Sequence, residues 1–428
     1  MIIALLFGGF FLFLLLGVPV VWSMAAATII TLIFGDVGVP VGWLAQQTIR
    51  GADSLSLMAI PLFLFAGELM NRGGLTRQIM RIAEHLFGRF RGGLGLVNVA
   101  TSFVYGGLTG SATADTGAVA KVMIPAMEER GYPKAFAAAV TAASGTLGII
   151  LPPSVVFIIY GVLTNTSIGG LFMAGILPGV LLALTFMVAA YVVGVKENFP
   201  RQDTRPSWRR LFLDLRAALP ALLMPPLILG SIVSGLATAT EAAALSVIYA
   251  LLVGALVYRE LSWDVLWPSI IEAVSTTGAI MIIMAVAVPF SWLLTVEQVP
   301  QTIATWITSL HGGAVVDIVL VILALVVVGL WLDLGPALII LAPILVPIAQ
   351  SAGLEPYQIG VLFTVTLGVG LFTPPVGTNI FVVCNVAKLS IGAVSRRLVP
   401  FWVASAVAIV LLVIFPELTE WLPRMAGY

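Results

Sequence analysis

Long apolar runs recur from one end of the chain to the other, separated by short polar segments. Runs of about 20 apolar residues are long enough to cross a hydrocarbon core of about 30 Å as helices. The pattern predicts an all-α polytopic membrane protein with ten spanning segments and two shorter helical hairpins. The first run, Ile2 to Phe34, lacks a charged start and a small-residue cleavage site, so it is predicted to be retained rather than removed as a signal peptide.

Four polar stretches interrupt these apolar runs. They are GGLTGSATAD (Gly106 to Asp115), SGTLGIILPPS (Ser144 to Ser154), GLWLDLGPA (Gly329 to Ala337) and GLFTPPVGTN (Gly370 to Asn379). Unwound backbone cannot face lipid, because each unpaired N–H or C=O group there costs several kcal/mol. The four breaks are therefore expected to meet inside the protein or around a wet cavity.

The first break of each pair predicts the tip of a re-entrant hairpin, and the second predicts a discontinuous membrane helix. Two adjacent prolines remove N–H donors and expose carbonyls, and the next helix begins with its N-terminal dipole directed into the break. Carbonyl and hydroxyl oxygens suit a small hard cation, and helix N-termini suit an anion. The predicted hairpin arms are Leu94 to Tyr105 with Ala112 to Met127, and Ala314 to Leu330 with Pro336 to Ile348.

The helix-breaking residues repeat along the chain. A shift of 222 positions superimposes Gly107 on Gly329, Gly148 on Gly370, and the pair Pro152-Pro153 on Pro374-Pro375. The segment before the first hairpin is rich in Arg, whereas the segment before the second has no Lys or Arg. The two copies are therefore predicted to face opposite sides, as in secondary transporters built from inverted repeats. The predicted units are 1–195, a cytoplasmic basic linker at 196–217, and 218–428.

Positive charge is concentrated in two polar segments. Of the 20 Lys and Arg residues, five lie from Arg72 to Arg91 and six from Lys196 to Arg216. The positive-inside rule places both segments in the cytoplasm. The segments without Lys or Arg are predicted to lie outside: Thr164 to Ser167, Val296 to Gly313 and Ser351 to Tyr357. Threading the chain between these anchors places Arg259, Lys388, Arg396 and Arg397 inside, and Arg50 and Arg424 outside.

Composition excludes several classes of protein. With 60% hydrophobic and 9% charged residues and a mean hydropathy of +1.12, the chain has too little polar surface for a soluble globule. The net charge of zero gives no reason to expect nucleic acid. The single Cys384 excludes internal disulfides and thiolate clusters, and with only His85 and His311 a histidine-rich metal site is not expected. An intramembrane enzyme would need a catalytic base or metal ligands at depth, and neither histidine is predicted there.

Three acidic residues near the breaks leave alternatives open. Inserting Asp115 or Asp333 at mid-helix costs about 2.5 to 3.5 kcal/mol, which favours a site or tip-stabilising role over simple hairpin capping. Glu241 is predicted to lie in the first turn of a helix capped by Thr240.

The amphipathic stretches Leu75 to Phe90 and Trp263 to Val274 are predicted to be arms that lie in the membrane plane.

Four motifs occur together: GSATADTGAVAKVMIPAM, SGTLGIILPPSVVFIIYG, TATEAAA and GLFTPPVGTNIFVV. In this order they resemble the DctM-like large membrane subunit of tripartite ATP-independent periplasmic (TRAP) transporters. The resemblance implies a multi-pass protein of the bacterial inner membrane and a sodium-driven importer with the elevator fold of the ion-transporter superfamily. It also implies a small four-helix membrane subunit, a periplasmic substrate-binding protein and an organic-acid substrate as partners, besides membrane lipids. The glutamate motif departs from the usual TPTEAAA form at Ala239.

The resemblance also implies a sodium and substrate site, with sodium as the coupling ion and no further cofactor. Matched motif by motif, its residues are Ser111, Asp115, Gly145, Thr146, Pro152, Pro153, Asp333, Gly335, Thr373, Pro374, Gly377, Thr378 and Asn379. A stand-alone sodium/dicarboxylate symporter of the same superfamily is the alternative, and it would need no binding protein. A passive channel suits two inverted copies less well than alternating access does.

Overall fold

A computed structural model describes residues 2–35, 37–40, 42–72, 75–201, 208–259, 261–309 and 313–428. Every regular element in these ranges is helical, which confirms the predicted all-α class. His311 and the middle of the basic linker, 202–207, lie outside the described ranges. The helices of the first half are α1 (Ile2–Leu15), α2 (Val20–Phe34), α3 (Gly42–Ala52), α4 (Ala59–Arg72), α5 (Leu75–Phe87), α6 (Gly93–Thr109), α7 (Ala112–Glu129), α8 (Lys134–Ser144), α9 (Val155–Thr164) and α10 (Ile168–Lys196).

The second half contains longer uninterrupted helices. Its members are α11 (Trp208–Leu222), α12 (Met224–Val233), α13 (Ala239–Leu252), α14 (Trp263–Val296), α15 (Val299–Ser309), α16 (Gly313–Gly329), α17 (Leu334–Ser351), α18 (Pro356–Gly370), α19 (Thr378–Ala387), α20 (Ile391–Ile414) and α21 (Glu417–Met425). A π-helical turn extends α13 from Val253 to Tyr258, and 3-10 turns lie at Leu55–Met58 and Gly145–Ile149.

Helix positions repeat with the same shift that relates the sequence breaks. Adding 222 to the bounds of α7 gives the bounds of α17, and α9 and α19 agree within one residue. The four predicted hairpin arms correspond to α6, α7, α16 and α17, each of them within a few residues of the expected bounds. The division at 195 and 217, the opposite orientation of the two copies and the re-entrant placement of the hairpins stay predictions.

The second in-plane arm was predicted in the wrong place. Trp263 to Val274 does not form a separate helix but is the start of the 34-residue helix α14. The shift relates α5 instead to α15, an 11-residue helix inside the segment that was expected to be an outer loop. Helix α14 is related to α3 and α4 together, and these two are bent by 50° at the break between them. One long helix in the second half therefore corresponds to a broken pair in the first.

Fewer helices are long enough to cross a membrane than the ten predicted spans. Within the described ranges, five helices pass by length and apolar composition, and seven pass if each bent pair counts as one span. The difference arises because breaks divide several apolar runs into shorter helices, such as α8 and α9 or α18 and α19. At the positions where the sequence predicted discontinuous helices, the structure thus has two short helices separated by a polar break instead of one spanning helix.

Residues that were predicted to lie on the same side of the membrane contact one another. At the predicted cytoplasmic end, Arg130 Nη1 lies 2.6 Å from Glu84 Oε1, and Arg397 forms an ion pair with Glu197. At the other end, the backbone N–H of Gln358 donates to buried Glu420 at 3.0 Å. The C-terminal helix α21 is thereby fixed to the start of α18.

The predicted orientation can be tested with single cysteines on a Cys384→Ser background. Leu236 is 84% exposed between α12 and α13 and is predicted to lie outside, whereas exposed Arg396 is predicted to lie inside. We expect an impermeant maleimide to label Leu236→Cys in intact cells and to label Arg396→Cys only after permeabilisation. Labelling of Arg396→Cys in intact cells would reverse the assignment of both copies, and the parent Cys384→Ser protein gives the background signal.

Candidate functional site

The first hairpin turns within two residues, Gly110 and Ser111. Gly110 has φ of +66°, which ends α6, and Ser111 begins α7 by accepting a 3.5 Å hydrogen bond from the backbone N–H of Ala114. A Cβ atom on Gly110 would overlap the carbonyl oxygen of Pro153. The tip of the first hairpin therefore lies directly against the first Pro-Pro break.

The tip of the second hairpin is similarly placed. Asp333 occupies the position that Ser111 has in the first copy, immediately before the second arm, but its side chain makes no capping hydrogen bond. The backbone N–H of Val376 donates to the carbonyl of Leu330 at 3.3 Å. This bond joins the second tip to the second Pro-Pro break.

Each broken helix also touches the first arm of its own hairpin through glycine. A Cβ atom on Gly106 would lie 2.8 Å from the Cα of Gly148. In the second copy, a Cβ atom on Gly370 would overlap the carbonyl oxygen of Gly329. Backbone thus packs on backbone at positions that correspond within one residue in the two copies, and any side chain there would separate the hairpin from the break.

Asp115 is fully buried in the first turn of α7. The hydroxyl of Thr109 donates to its Oδ1 atom, whereas Oδ2 has no hydrogen-bond partner. A Cβ atom on Gly148 would touch Oδ2, so the carboxylate faces the 3-10 turn Gly145–Ile149. The hydroxyl oxygen of the next residue, Thr116, is also buried without a partner. Buried oxygen atoms without partners are costly and call for an explanation such as an ion or a water molecule.

The second copy supplies a further oxygen to the same region. Asn379, at the start of α19, donates from Nδ2 to the carbonyl of Ala142 in α8 at 3.1 Å, and its Oδ1 atom has no partner. A Cβ atom on Gly368 would lie 3.9 Å from the Cβ of Thr146. Helix α19 packs against both α7 and α8. The broken helices of the two copies therefore meet.

The two breaks differ in exposure. Every residue from Ser144 to Ser154 is buried. In the second copy the exposed residues are Asp333, Pro375 and Val376. The Asp333 side chain lies near the Thr378 hydroxyl but makes no hydrogen bond of normal geometry with it. Any opening to this region in the described chain is therefore on the side of the second break.

The predicted site residues do not all have free ligand atoms. The hydroxyls of Thr146 and Thr373 donate to the backbone carbonyls of Ala143 in α8 and Val369 in α18, each at 2.6 Å. Gly335 has no atom within 4 Å of an added Cβ. The remaining predicted residues lie at the two tips and the two breaks: Ser111, Asp115, Gly145, Pro152, Pro153, Asp333, Pro374, Gly377, Thr378 and Asn379.

A buried polar cluster between α6 and the end of α8 was not predicted from the sequence. Asn98 Nδ2 donates to the Thr141 hydroxyl at 2.7 Å, and the Ser102 and Ser144 hydroxyls lie 2.8 Å apart. The Thr101 hydroxyl on the same helix is buried without a partner. The signal was available, because Asn98, Thr101 and Ser102 have the spacing of one face of a helix.

Glu241 belongs to a cap rather than to these breaks. Thr238, not Thr240, caps α13, and the Glu241 carboxylate accepts from the Thr238 backbone N–H at 2.7 Å. The Thr240 hydroxyl donates instead to the carbonyl of Leu55 at 3.1 Å. Glu241 lines a cavity of about 860 Å³ that also includes Tyr428 and none of the predicted site residues.

Metal-binding side chains are not clustered in the described ranges, where no three His, Cys, Asp or Glu side chains form a group that could hold a metal ion. The oxygen atoms at the breaks are instead two carboxylates, one amide, hydroxyls and backbone carbonyls. Hard monovalent cations are bound by this kind of oxygen set where helices are broken.

The family model and the relatives that match this chain indicate the same family. Residues 7–418 match the family model described as the DctM component of the tripartite ATP-independent periplasmic transporter. The 2,3-diketo-L-gulonate TRAP transporter large permease protein YiaN of Escherichia coli is 36% identical over 94% of this chain and 94% of its own. The sialic acid TRAP transporter large permease protein SiaM of Vibrio cholerae is 35% identical over 96% of each chain.

A solved structure shows a similar fold. The Alcanivorax borkumensis YdaH transporter superimposes with a TM-score of 0.62, covering 89% of this chain and 88% of that one. Its sequence identity is 14%, so the likeness concerns the fold alone.

Proposed function

Because the chain belongs to the DctM family of TRAP transporters, we propose that it is the large membrane subunit of a sodium-coupled, binding-protein-dependent importer of an organic acid. Membership makes it a multi-pass protein of the bacterial inner membrane and a transport subunit rather than an enzyme. The names of two relatives specify 2,3-diketo-L-gulonate and sialic acid, and both are organic acids. These names support a carboxylate substrate, which includes the C4-dicarboxylates.

The proposed partners are a small four-helix membrane subunit and a periplasmic binding protein that captures the substrate. Their support is the family itself, whose description names a tripartite and periplasmic system. The alternative of a stand-alone symporter predicts that neither partner is needed. Co-purification of a small membrane protein with this chain separates the two hypotheses.

Sodium coupling is supported by one observation: buried oxygens without partners come from both copies and lie on helices that pack together. These oxygens are Asp115 Oδ2, Thr116 Oγ1 and Asn379 Oδ1. A sodium ion bound by such atoms would compensate the buried charge of Asp115, which otherwise has one hydroxyl donor. Ion binding would also hold the first hairpin against α19, because the oxygens belong to different helices.

The organic acid has a suitable position at the start of α19. Gly377 precedes this helix and gives it no side-chain cap. The N–H of Asn379 donates to the carbonyl of Leu371 at 2.8 Å, so the N–H groups of Thr378 and Ile380 are the ones that can donate to a carboxylate. Asp333 lies close to Thr378 at the start of α19, and its negative charge would repel an anion that bound there without a cation. A sodium ion bound together with the substrate would offset this repulsion, which is a physical reason for obligatory coupling.

The contacts between helices support an elevator mechanism, in which one packed unit of the protein moves relative to the rest. Contacts between α7 and α19, α8 and α19, α9 and α17, and α10 and α20 join both hairpins and both broken helices into one unit. We propose that this unit moves against the remaining helices and exposes the site alternately to the two sides.

The coupling proposal predicts ion-dependent uptake. Vesicles reconstituted with this chain, the small membrane subunit and the loaded binding protein should accumulate substrate only with an inward sodium gradient. Sodium would be replaced by potassium in matched vesicles, and a proton gradient would be imposed separately. Undiminished uptake with potassium or with protons alone would refute sodium coupling but leave family membership intact.

A further inference from the structure

An apolar groove of about 370 Å³ lies beside the first hairpin, away from the breaks. Every residue that lines it is apolar. One wall is the amphipathic helix α5 together with Leu222 of α11, and the other is formed by α6 and α10. Leu86 and Leu184 at its edge are 51% and 54% exposed, so the groove is open to its surroundings.

The groove is oriented along the predicted membrane normal. Helix α6 begins at Gly93, next to the basic segment that is predicted to be cytoplasmic, and its residues Ala100 and Val104 line the groove. At about 1.5 Å per residue, Val104 lies about 16 Å beyond Gly93 along the helix. The groove thus extends from the level of α5 toward the predicted middle of the bilayer, where lipid acyl chains surround the protein.

Basic side chains surround the α5 end of the groove. Exposed Arg89 comes two residues after the lining residue Phe87, and its guanidinium lies 5.4 Å from the centre of the Phe90 ring. Arg81 faces Asp214 of α11 at 3.8 Å. No acidic side chain forms an ion pair with Arg89 in the part of the chain that the structure describes. Positive charge at the interface attracts anionic lipid.

We infer that this groove binds one acyl chain of an anionic phospholipid, with the phosphate at Arg89. The apolar walls match the acyl chain, and the Arg89 guanidinium, which has no acidic partner among the described residues, matches the headgroup. Because the groove separates α5 and α11 from α6 and α10, the lipid would fill the space between the first hairpin and the in-plane arm. Lipid binding at this place does not depend on sodium coupling or on the transported acid.

The inference can be tested by photolabelling in nanodiscs with phosphatidylglycerol that contains a diazirine in its acyl chain. Labelled peptides are expected to map to α6 and α10 around Ala100 and Leu184. Ala100→Phe fills the groove from a half-buried wall position and should remove this labelling, whereas Ala279→Phe, on an exposed face of α14, should leave it unchanged.

The headgroup contact is tested by Arg89→Gln with Arg396→Gln as the matched exposed arginine. Loss of one basic side chain near an anionic lipid corresponds to about 1 kcal/mol, or about a five-fold fall in labelling at limiting probe. Equal labelling of Ala100→Phe and the unchanged protein would overturn the groove assignment. Equal labelling by phosphatidylcholine would overturn the anionic headgroup. Loss of labelling when the small membrane subunit is co-expressed would show that a protein helix occupies the groove and would also overturn the proposal.

Discussion

Gly110→Ala is expected to abolish transport and to lower the thermal stability of the purified protein markedly. Residue 110 has φ of +66°, a conformation that costs a residue with a Cβ about 1 to 2 kcal/mol. The new methyl group would also overlap the carbonyl oxygen of Pro153. The tip of the first hairpin must then move away from the first break, and the oxygens contributed by α7 move with it.

The chain offers a control that isolates the overlap from the backbone effect. Gly235 has φ of +71°, but an added Cβ there would have nothing within 4 Å. Gly235→Ala should therefore lose only the backbone contribution and retain uptake. Both variants are compared by thermal unfolding and by uptake in the same vesicles. Equal melting temperatures for the two variants would be incompatible with close contact between the tip and Pro153.

Asp115→Asn is expected to weaken the sodium dependence of uptake at least tenfold, which corresponds to about 1.4 kcal/mol. The amide has the size of the carboxylate, and the Thr109 hydroxyl can still donate to its oxygen. Only the buried negative charge is lost. Because a buried charge without a counter-ion is unfavourable, the variant should melt no lower than the unchanged protein in sodium-free buffer. Uptake against sodium concentration and melting with and without sodium are the measurements.

Two further acids provide the comparison. Asp317 is buried in α16, away from both breaks, and Asp317→Asn should leave the sodium dependence unchanged. Asp333 is exposed at the second tip, and Asp333→Asn should weaken the sodium dependence several-fold if its charge contributes to the site. A lower melting temperature for Asp115→Asn with normal sodium dependence would instead indicate a structural carboxylate.

The sequence predicted the helical hairpins well because their ends are marked by residues with strong local effects. Ser111 and Asp333 precede the second arms, and glycine or a polar tip ends the first arms. Spacing alone therefore gave the arm bounds within a few residues. Helix α15 was missed because its polar sequence lacks Lys and Arg and resembles a loop, although its amphipathic spacing was present.

Two features had a recognisable sequence pattern that was overlooked, and one depends on how the helices pack. Two threonines precede Glu241, and the pattern of Thr followed three residues later by Glu identifies Thr238 as the cap, as the structure has it. The polar face of α6 was overlooked because the broken stretches dominated the search for polar groups. The meeting of Asn379 with α8 could not be predicted, because it depends on how the two halves pack and not on either sequence alone.

The unequal burial of the two breaks has a consequence for changing the substrate. A substitution between Ser144 and Ser154 meets packed neighbours on every side, so a new residue there requires compensating changes elsewhere. An exposed position at the second break, such as Val376, can vary on its own. Given the substrate position proposed at the start of α19, directed evolution toward a different organic acid should therefore begin with a library at the second break.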